Sequence, residues 1–286
     1  MKIEKVMSLT QNNDLNNYFP VFKRNGVIID KKKDCYWLIP HRENPVSINE
    51  STYEILGLCD GSKSMKDIVT YMAETYEVDE EQIKQDLISV LYSLYYVNLV
   101  VWKKGINYFQ EVFQHQTPEF LYKRLELLDI RNCVANTKDE ALISAKYDKE
   151  NMYTNINLQV RMSLGKDVYF GCYRGDKLEA VVALEPVISI RPCLEFLSYN
   201  VEYLYINEES QLTDVQFDDF VKWCVGWYLE SNNIDAGQTN EFINFQALED
   251  DSSVEQLKKL GFKAAGVMEN ENKTQNVTVF EKELCY

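Results

Sequence analysis

Three consecutive helical patterns, set between short strands, constrain the first third of the chain more than any other feature. Asn49 is the predicted N-cap of a helix over Glu50–Cys59, and Asp60-Gly61 predicts its end. Ser64 predicts the cap of a second helix, and a third begins at Asp79 with an apolar stripe along one face. Short strands are predicted over Val27–Ile29, Cys35–Ile39, Pro45–Ile48 and Leu99–Trp102. Three strands, three helices and one strand predict a small winged-helix domain.

The charge of the chain is unevenly divided. Residues 1–105 carry 13 Lys or Arg and 15 Asp or Glu, a net charge of −2, whereas residues 106–286 carry 17 and 30, a net charge of −13. This shift predicts a domain boundary near Lys103-Lys104-Gly105, and 286 residues suit two domains of about 150 residues each. We therefore expect one domain over residues 20–104 and another over 123–286, with the aromatic segment Asn107–Lys123 as a packed connector.

Composition excludes several classes of function. A net charge of −15 repels phosphate backbones, so we expect no nucleic-acid partner. No apolar run approaches the roughly 20 residues of a membrane span, and the N-terminus lacks the apolar core of a signal peptide. The seven cysteines form no C-x-x-C pair, which favours reduced thiols in the cytoplasm. With only two histidines, His41 and His115, we expect no metal site.

A longer pattern in the first domain carries a family resemblance. The run INESTYEILGLCDGSKSMKDIVTYMAETYEVDEEQIKQDLISVLYSLYYVNLV resembles the PqqD family, the peptide-recognition domains (RiPP recognition elements) of ribosomal peptide natural-product pathways. The resemblance covers roughly residues 20–102 and depends on the order of Ile48-Asn49, Asp60-Gly61 with Ser64, and the third helix. It implies that a precursor's leader peptide is captured as an added strand beside the third strand. It also implies a peptide-modifying partner enzyme, such as a radical SAM maturase.

The chemistry of such a peptide site can be stated for this sequence. The unpaired N–H and C=O groups of an edge strand bind an extended peptide, and an apolar groove selects its side chains. The predicted edge is Pro45, Val46, Ser47 and Ile48, and the predicted groove is Ile88, Leu91, Tyr92 and Tyr95. The alternative role for the groove residues is hydrophobic core, which we favour for Leu91. Tyr92 and Tyr95 are expected at a partly open surface, because tyrosine carries a polar tip on an apolar body.

The second domain alternates strands and helices. The predicted elements are a strand at Glu126–Ile130, a helix at Thr137–Lys146, a hairpin of Asp167–Tyr173 and Lys177–Leu184, a strand at Phe196–Ile206, a helix at Gln216–Glu230, a strand at Phe242–Leu248, a helix at Ser253–Leu260, and a hairpin of Phe262–Val267 and Thr278–Glu283. This order predicts an α/β domain with one mixed sheet and flanking helices.

That order, with the segments DVYFGCYRGDKLEAVVAL, VEYLYINEES and VEQLKKLGFKAAGV, resembles the GNAT acetyltransferase fold over roughly residues 124–284. The resemblance implies an acyl-CoA diphosphate loop of pattern Q/R-x-x-G-x-G/A after the fourth strand. The matching positions begin with Gln211, Leu212 and Thr213, the implied cofactor-binding residues. Only Gln211 fits the pattern, because Asp214 and Gln216 stand where the two glycines belong.

Other departures affect the implied catalysis. Leu257 stands where the family often has a tyrosine that protonates the leaving thiolate, and Asp250 lies near the place of the family's asparagine. Glu202 and Tyr203 on the fourth strand are the catalytic candidates, since they could activate an amine through water. The alternative is that they are ordinary polar residues on a half-exposed strand.

The sequence thus predicts a two-domain protein of α+β and α/β type, an N-terminal PqqD-like winged-helix domain followed by a GNAT-like mixed sheet. We favour a peptide-binding adaptor without a certain cofactor, whose second domain binds the core peptide or a modifying enzyme. The alternative is an active N-acyltransferase that uses acetyl-CoA or another acyl-CoA on a lysine or N-terminal amine of the bound peptide. A third hypothesis is a structural or regulatory protein with a vestigial acetyltransferase fold and no peptide ligand.

Overall fold

The structure is a computed structural model that divides into two compact units, residues 2–113 and residue 1 with 114–286. It describes residues 1–24, 27–32, 35–40, 45–96, 99–103, 106–137, 139–144, 154, 157–158, 161, 167–187, 197–207, 209–210, 212–231, 241–248, 253–268 and 276–284. Within this part of the chain, none of the helices is long and apolar enough to cross a membrane.

In its described part, the first unit has four α-helices and five strands. Its helices are α1 (Ile3–Thr10), α2 (Glu50–Leu58), α3 (Met65–Tyr76) and α4 (Glu80–Tyr96). Its strands are β1 (Pro20–Phe22), β2 (Val27–Lys31), β3 (Tyr36–Pro40), β4 (Val46–Ile48) and β5 (Val100–Trp102). The strands form an antiparallel sheet in the order β2-β3-β4 and a separate antiparallel pair of β1 with β5.

The predicted helix caps of the first unit are confirmed. The Asn49 side chain accepts a hydrogen bond from the Thr52 N–H at 2.9 Å at the start of α2. At the start of α3, Ser64 and Asp67 form a reciprocal capping box, with each side chain accepting from the other residue's backbone N–H. These hydrogen bonds from Ser64 lower the pKa of Asp67, so its carboxylate stays charged at the positive end of the helix.

The turn after α2 depends on a glycine. Gly61 has φ +79°, and a Cβ at this position would lie 2.8 Å from the Val21 side chain. Asp60 forms an isolated antiparallel β-bridge with Val21, and the Gly61 N–H donates to the Pro20 carbonyl at 3.0 Å. The Asp60-Gly61 pair therefore ends the helix and also lets the chain pass close to β1.

Residues after β5 complete the core of the first unit. Tyr108, Phe109 and Phe113 are buried, and Phe109 lies edge-on to Trp102 with ring centroids 5.7 Å apart. The expected connector Asn107–Lys123 is therefore not one piece. Its first part packs in the first unit, and its second part supplies two strands of the second unit.

Among the residues that the structure describes, the second unit has three named α-helices and nine strands. Its helices are α5 (Leu127–Thr137), α6 (Asp214–Ser231) and α7 (Ser253–Lys259). Its strands are β6 (Gln114–Gln116), β7 (Leu121–Arg124), β8 (Leu142–Ile143), β9 (Val168–Arg174), β10 (Lys177–Val187), β11 (Leu197–Ile206), β12 (Glu241–Leu248), β13 (Lys263–Met268) and β14 (Val277–Leu284). They form one mixed sheet in the order β13-β14-β12-β11-β10-β9-β7-β6, with β8 paired to β11. The β11–β12 pair is parallel and the other pairs are antiparallel.

Opposite faces of this sheet bury different helices. Tyr169 belongs to a buried cluster with Ile130 and Val134 of α5. The next residue, Phe170, lies edge-on to Trp223 and Trp227 of α6, with centroids 5.6 and 5.7 Å apart. Because successive strand side chains point to opposite faces, α5 and α6 lie on opposite sides of the sheet.

The structure corrects two predicted elements in this unit. The predicted strand at Glu126–Ile130 is wrong, because α5 begins at Leu127 and buries Ile130 among residues at helical spacing. The predicted helix at Thr137–Lys146 is also wrong in its described part, because Thr137 is the last residue of α5 and residues 142–143 form β8. The Thr137 hydroxyl donates to the Cys133 carbonyl one turn back, so it serves the end of a helix rather than the start of one.

Candidate functional site

β4 forms the edge of the three-stranded sheet in the first unit. The register pairs its residues Val46–Ile48 with Tyr36–Leu38 of β3, and no described residue pairs with its other edge. Pro45 and Ser47 are exposed, Val46 is half-buried and Ile48 is buried. The strand therefore presents free main-chain groups beside an apolar residue, the arrangement that an added strand requires.

The four predicted groove residues on α4 are buried. Ile88 and Leu91 belong to the core, and Tyr92 and Tyr95 are each only 8% exposed. The expectation of partly open tyrosines is therefore wrong. The Tyr92 ring lies edge-on to Phe109 at 5.6 Å, and the Tyr95 hydroxyl accepts a hydrogen bond from the Asn107 side chain at 2.7 Å.

The segment that follows β5 covers both tyrosines. Both rings also lie near Phe113, with centroids 6.2 Å from Tyr92 and 5.2 Å from Tyr95. Nothing in the sequence of α4 itself signals that a later segment covers this face. The aromatic run at residues 108–113 was the available signal, since isolated aromatics seldom remain in solvent.

An aromatic pair near the end of β4 was not predicted. The Tyr36 and Tyr53 rings are stacked with centroids 4.0 Å apart and planes 2° apart. Lys31 Nζ lies 5.0 Å from the Tyr36 ring centroid, and Tyr36 is the register partner of Ile48. Tyr53 is 38% exposed, so it offers apolar and polar surface where a ligand strand on β4 would end.

The loop that precedes α6 is the predicted cofactor site. Several of its backbone N–H groups donate hydrogen bonds to side chains of the loop itself and of the first turn of α6. Thr213 and Gln216 form a capping box, with the Gln216 N–H 3.3 Å from Thr213 Oγ1 and the Thr213 N–H 3.1 Å from Gln216 Oε1. The Leu212 N–H donates to Ser210 Oγ at 3.1 Å. Gln211 lies outside the described residues. The T-x-x-Q spacing could have been recognised in the sequence as a capping signature.

The described residues of this loop fit a CoA diphosphate poorly. A diphosphate needs several free backbone N–H groups at the helix N-terminus. Here the N–H groups of Leu212, Thr213 and Gln216 already have acceptors within the loop and the first helical turn. Asp214 also adds a carboxylate in the first turn, which would repel phosphate.

A second acidic residue of α6, Asp218, already has an ion-pair partner. Asp218 forms an ion pair with Lys282 of β14, which is only 8% exposed. Lys282 also donates to the Leu260 carbonyl at the end of α7, and its Nζ lies 5.5 Å from the Phe217 ring centroid. This buried lysine joins α6, α7 and β14, so the pair is structural and is not available for a ligand.

The edge of β11 that faces away from β10 is also occupied. β11 pairs with β12 over Leu197–Asn200 and with β8 over Tyr203–Leu204. The Ser144 N–H extends the β8 pairing by donating to the Glu202 carbonyl at 3.1 Å. A linear ligand running from the loop along this edge would have to displace β8.

The two catalytic candidates lie next to each other on β11, and both side chains are fully buried. The Tyr203 hydroxyl lies 2.5 Å from Thr137 Oγ1, and burial raises the pKa of Tyr203, so the phenol stays protonated. A general base must come within hydrogen-bond reach of the proton that it removes. Since neither side chain exposes surface, their catalytic role stays a prediction.

The other residues that the sequence analysis compared with the GNAT catalytic positions include few groups that could act as an acid or a base. Leu257 is fully buried in α7, and Asp250 lies outside the described residues. Cys224 is buried on α6, where burial raises the pKa of its thiol, and the five described cysteines form no disulfide with one another. No cluster of potential metal ligands occurs among the residues that the structure describes.

Comparison with known proteins gives different matches for the two units. A family model described as coenzyme PQQ synthesis protein D (PqqD) matches residues 35–100, and no curated protein sequence matches the chain. Similar solved structures include a ribosomal-protein-S5-alanine acetyltransferase from Vibrio fischeri, with 13% identity over 60% of this chain and 96% of that chain and a TM-score of 0.38.

Two further structures resemble the chain to the same degree. A GNAT-family acetyltransferase from Streptococcus pneumoniae has 15% identity over 58% of this chain and 100% of its own, with a TM-score of 0.35. An N-acetyltransferase from Staphylococcus aureus Mu50 has 17% identity over 58% and 97%, with a TM-score of 0.37. Residues 35–100 therefore match the PqqD family model, and the acetyltransferase structures are proteins that this chain resembles at low sequence identity.

Proposed function

We propose that this chain recognises the leader segment of a ribosomally synthesised precursor peptide and serves as an adaptor for its modification. The recognition domain would span residues 20–104 as a winged helix, with the leader added to β4. The GNAT-like domain, over residues 123–286, would bind the core peptide or a modifying enzyme, of the radical SAM or another class. It would not carry out acyl transfer.

The free edge of β4 supports the peptide-recognition part of this proposal. An extended leader gains main-chain hydrogen bonds from Val46–Ile48 without any requirement on its sequence. Selection among leaders then needs side chains close to that edge. Val46 is half-buried beside it, and Tyr53 is exposed near the register position of Ile48.

The observation that carries the adaptor role is the self-capped N-terminus of α6. An acyltransferase must hold its thioester cofactor before any amine can attack it. Three of the described N–H groups at this helix start, those of Leu212, Thr213 and Gln216, instead donate to the side chains of Ser210, Gln216 and Thr213. The pairing of β8 with Tyr203–Leu204 also supports the adaptor role, because it leaves this stretch of the β11 edge without free main-chain groups for a cofactor.

A pair of proline substitutions tests peptide recognition. Peptides enriched from a random displayed library on the full chain are titrated against Val46→Pro and Ser47→Pro. Successive N–H groups of a strand point to opposite edges, so one of these two N–H groups faces the free edge. We expect one variant to keep its far-UV circular dichroism and lose about tenfold in affinity or more, since proline removes a donor and adds a steric block.

The other proline should weaken the β3–β4 pairing itself and lower the stability of the chain. Ser47→Ala is the matched control and should bind like the wild type. Wild-type affinity in both proline variants, or a library without any enriched peptide, would contradict recognition at β4.

Calorimetric titration with acetyl-CoA and with CoA tests the absence of acyl transfer. We expect no binding heat up to about 1 mM ligand, because three N–H groups of the loop are already hydrogen-bonded and Asp214 adds a carboxylate that repels the diphosphate. The matched variant Asp214→Gly with Gln216→Gly restores both glycines of the family pattern and removes the cap. Micromolar binding by the wild type would instead support the acyltransferase that modifies a lysine or N-terminal amine.

A further inference from the structure

A pocket of about 360 Å³ opens in the second unit between the β6–β7 hairpin and the first half of α6. Ligand pockets in proteins typically measure about 300–1,000 Å³, so this one can take a single long side chain. Its described lining includes neither the loop residues Leu212 and Thr213 nor the buried pair on β11. Gln216, which caps α6, also lines its edge.

The floor of the pocket is aromatic. Phe120 and Tyr122 are buried, and Trp223 of α6 is half-buried beside them. The Tyr122 and Trp223 ring centroids are 5.9 Å apart with planes inclined by 44°. Burial, with the nearby Asp219 carboxylate among the further causes, raises the pKa of Tyr122 to about 12, so the phenol is neutral at physiological pH.

The rim of the pocket is acidic. Glu119 and Asp219 are both exposed, and neither is ion-paired with a cation among the described residues. Glu119 accepts one hydrogen bond, from Gln216 Nε2 at 2.9 Å. Arg174 Cζ lies 4.8 Å from the centroid of Phe120, and the Arg174 Nε lies 3.8 Å from a carboxylate oxygen of Glu179, which is its ion-pair partner.

We propose that this pocket binds a basic side chain, lysine or arginine, of a peptide. The aliphatic stem would lie against Tyr122 and Trp223, and the charged head would lie between Glu119 and Asp219. Aromatic faces and carboxylates both attract a cation, and the chain from residue 106 onward carries a net charge of −13. This assignment goes beyond leader recognition and stands on the second unit alone, so it can hold even if β4 binds nothing.

Small capped amino acids test the pocket directly. Nα-acetyl-lysine N-methylamide and Nα-acetyl-arginine N-methylamide are titrated into the full chain labelled with ¹⁵N. The signal is the indole N–H resonance of Trp223, assigned with Trp223→Phe. We expect saturable shifts with a Kd on the order of 1 mM, the affinity that a ligand of this size reaches. The norleucine analogue lacks the charge and should produce no saturable shift.

Two variants separate a cation site from a merely apolar cleft. Asp219→Asn and Glu119→Gln keep the shape of the rim and remove its charges one at a time. We expect each to weaken binding of the charged probes about tenfold, because hydrogen bonds to charged groups are the strong ones. Asp214→Asn changes an exposed carboxylate on the same helix outside the pocket, and it should stay within twofold of the wild type.

Three outcomes would overturn the assignment. They are no saturable shift at about 20 mM probe, equal binding of norleucine, and unchanged affinity in both rim variants. A preference for lysine or for arginine would support the assignment and identify the residue that the peptide carries.

Discussion

At the scale of single residues, Glu77 has the backbone conformation least suited to its side chain. It ends α3 with φ 53° and ψ 43°, and it is the only residue other than glycine with positive φ in the described part of the chain. The left-handed region costs a residue with a Cβ roughly 1–2 kcal/mol, whereas glycine enters it freely. Val78 continues the turn by donating its N–H to the Ala73 carbonyl.

Glu77→Gly should therefore stabilise the protein. We expect the free energy of unfolding to rise by about 0.5–1 kcal/mol, since relief of the strained conformation exceeds the added freedom of the unfolded chain. Urea denaturation of the full chain measures it. The matched control is Glu74→Gly, an exposed position inside the same helix, which should lose about 1 kcal/mol. A loss of stability in both variants would show that the Glu77 side chain contributes more than its conformation costs.

At the scale of elements, the parts of the fold that local chemistry specifies could be predicted. The caps at Asn49 and Ser64, the stop at Asp60-Gly61 and the hairpin around Gly175 all follow from residues close in sequence. For each of these features a short-range hydrogen bond or a positive φ decides the outcome, and neighbouring residues supply it. The edge position of β4 was instead implied by the resemblance to the PqqD family.

Elements decided by distant contacts could not be predicted. α5 buries Ile130, Cys133 and Val134 at helical spacing, but a short run of apolar residues at its start also suits a strand. β8 forms because β11 has an open edge beyond its pairing with β12, and no local pattern reveals that edge. The covering of Tyr92 by Phe109 has the same cause, since the two residues meet only in the folded chain.

At the scale of the whole molecule, the two units offer a peptide different kinds of interaction. The first 105 residues are nearly neutral, and their candidate site is a strand edge whose hydrogen bonds involve uncharged backbone groups. The remaining residues carry most of the negative charge, and their candidate site has two carboxylates over aromatic rings. If the chain binds a precursor as proposed, a neutral leader would suit the first site and a basic core would suit the second.

This division predicts different responses to salt. Raising NaCl from about 50 to 500 mM shortens the screening length to well under 10 Å, so binding of the lysine or arginine probe should weaken several-fold. Binding of an uncharged peptide to β4 should change less than twofold, because main-chain hydrogen bonds join neutral groups. Both affinities are measured on one full-length preparation, the first by the Trp223 resonance and the second by calorimetry. Equal salt dependence at the two sites would contradict the division, and salt-independent probe binding would show that the rim carboxylates do not hold the cation.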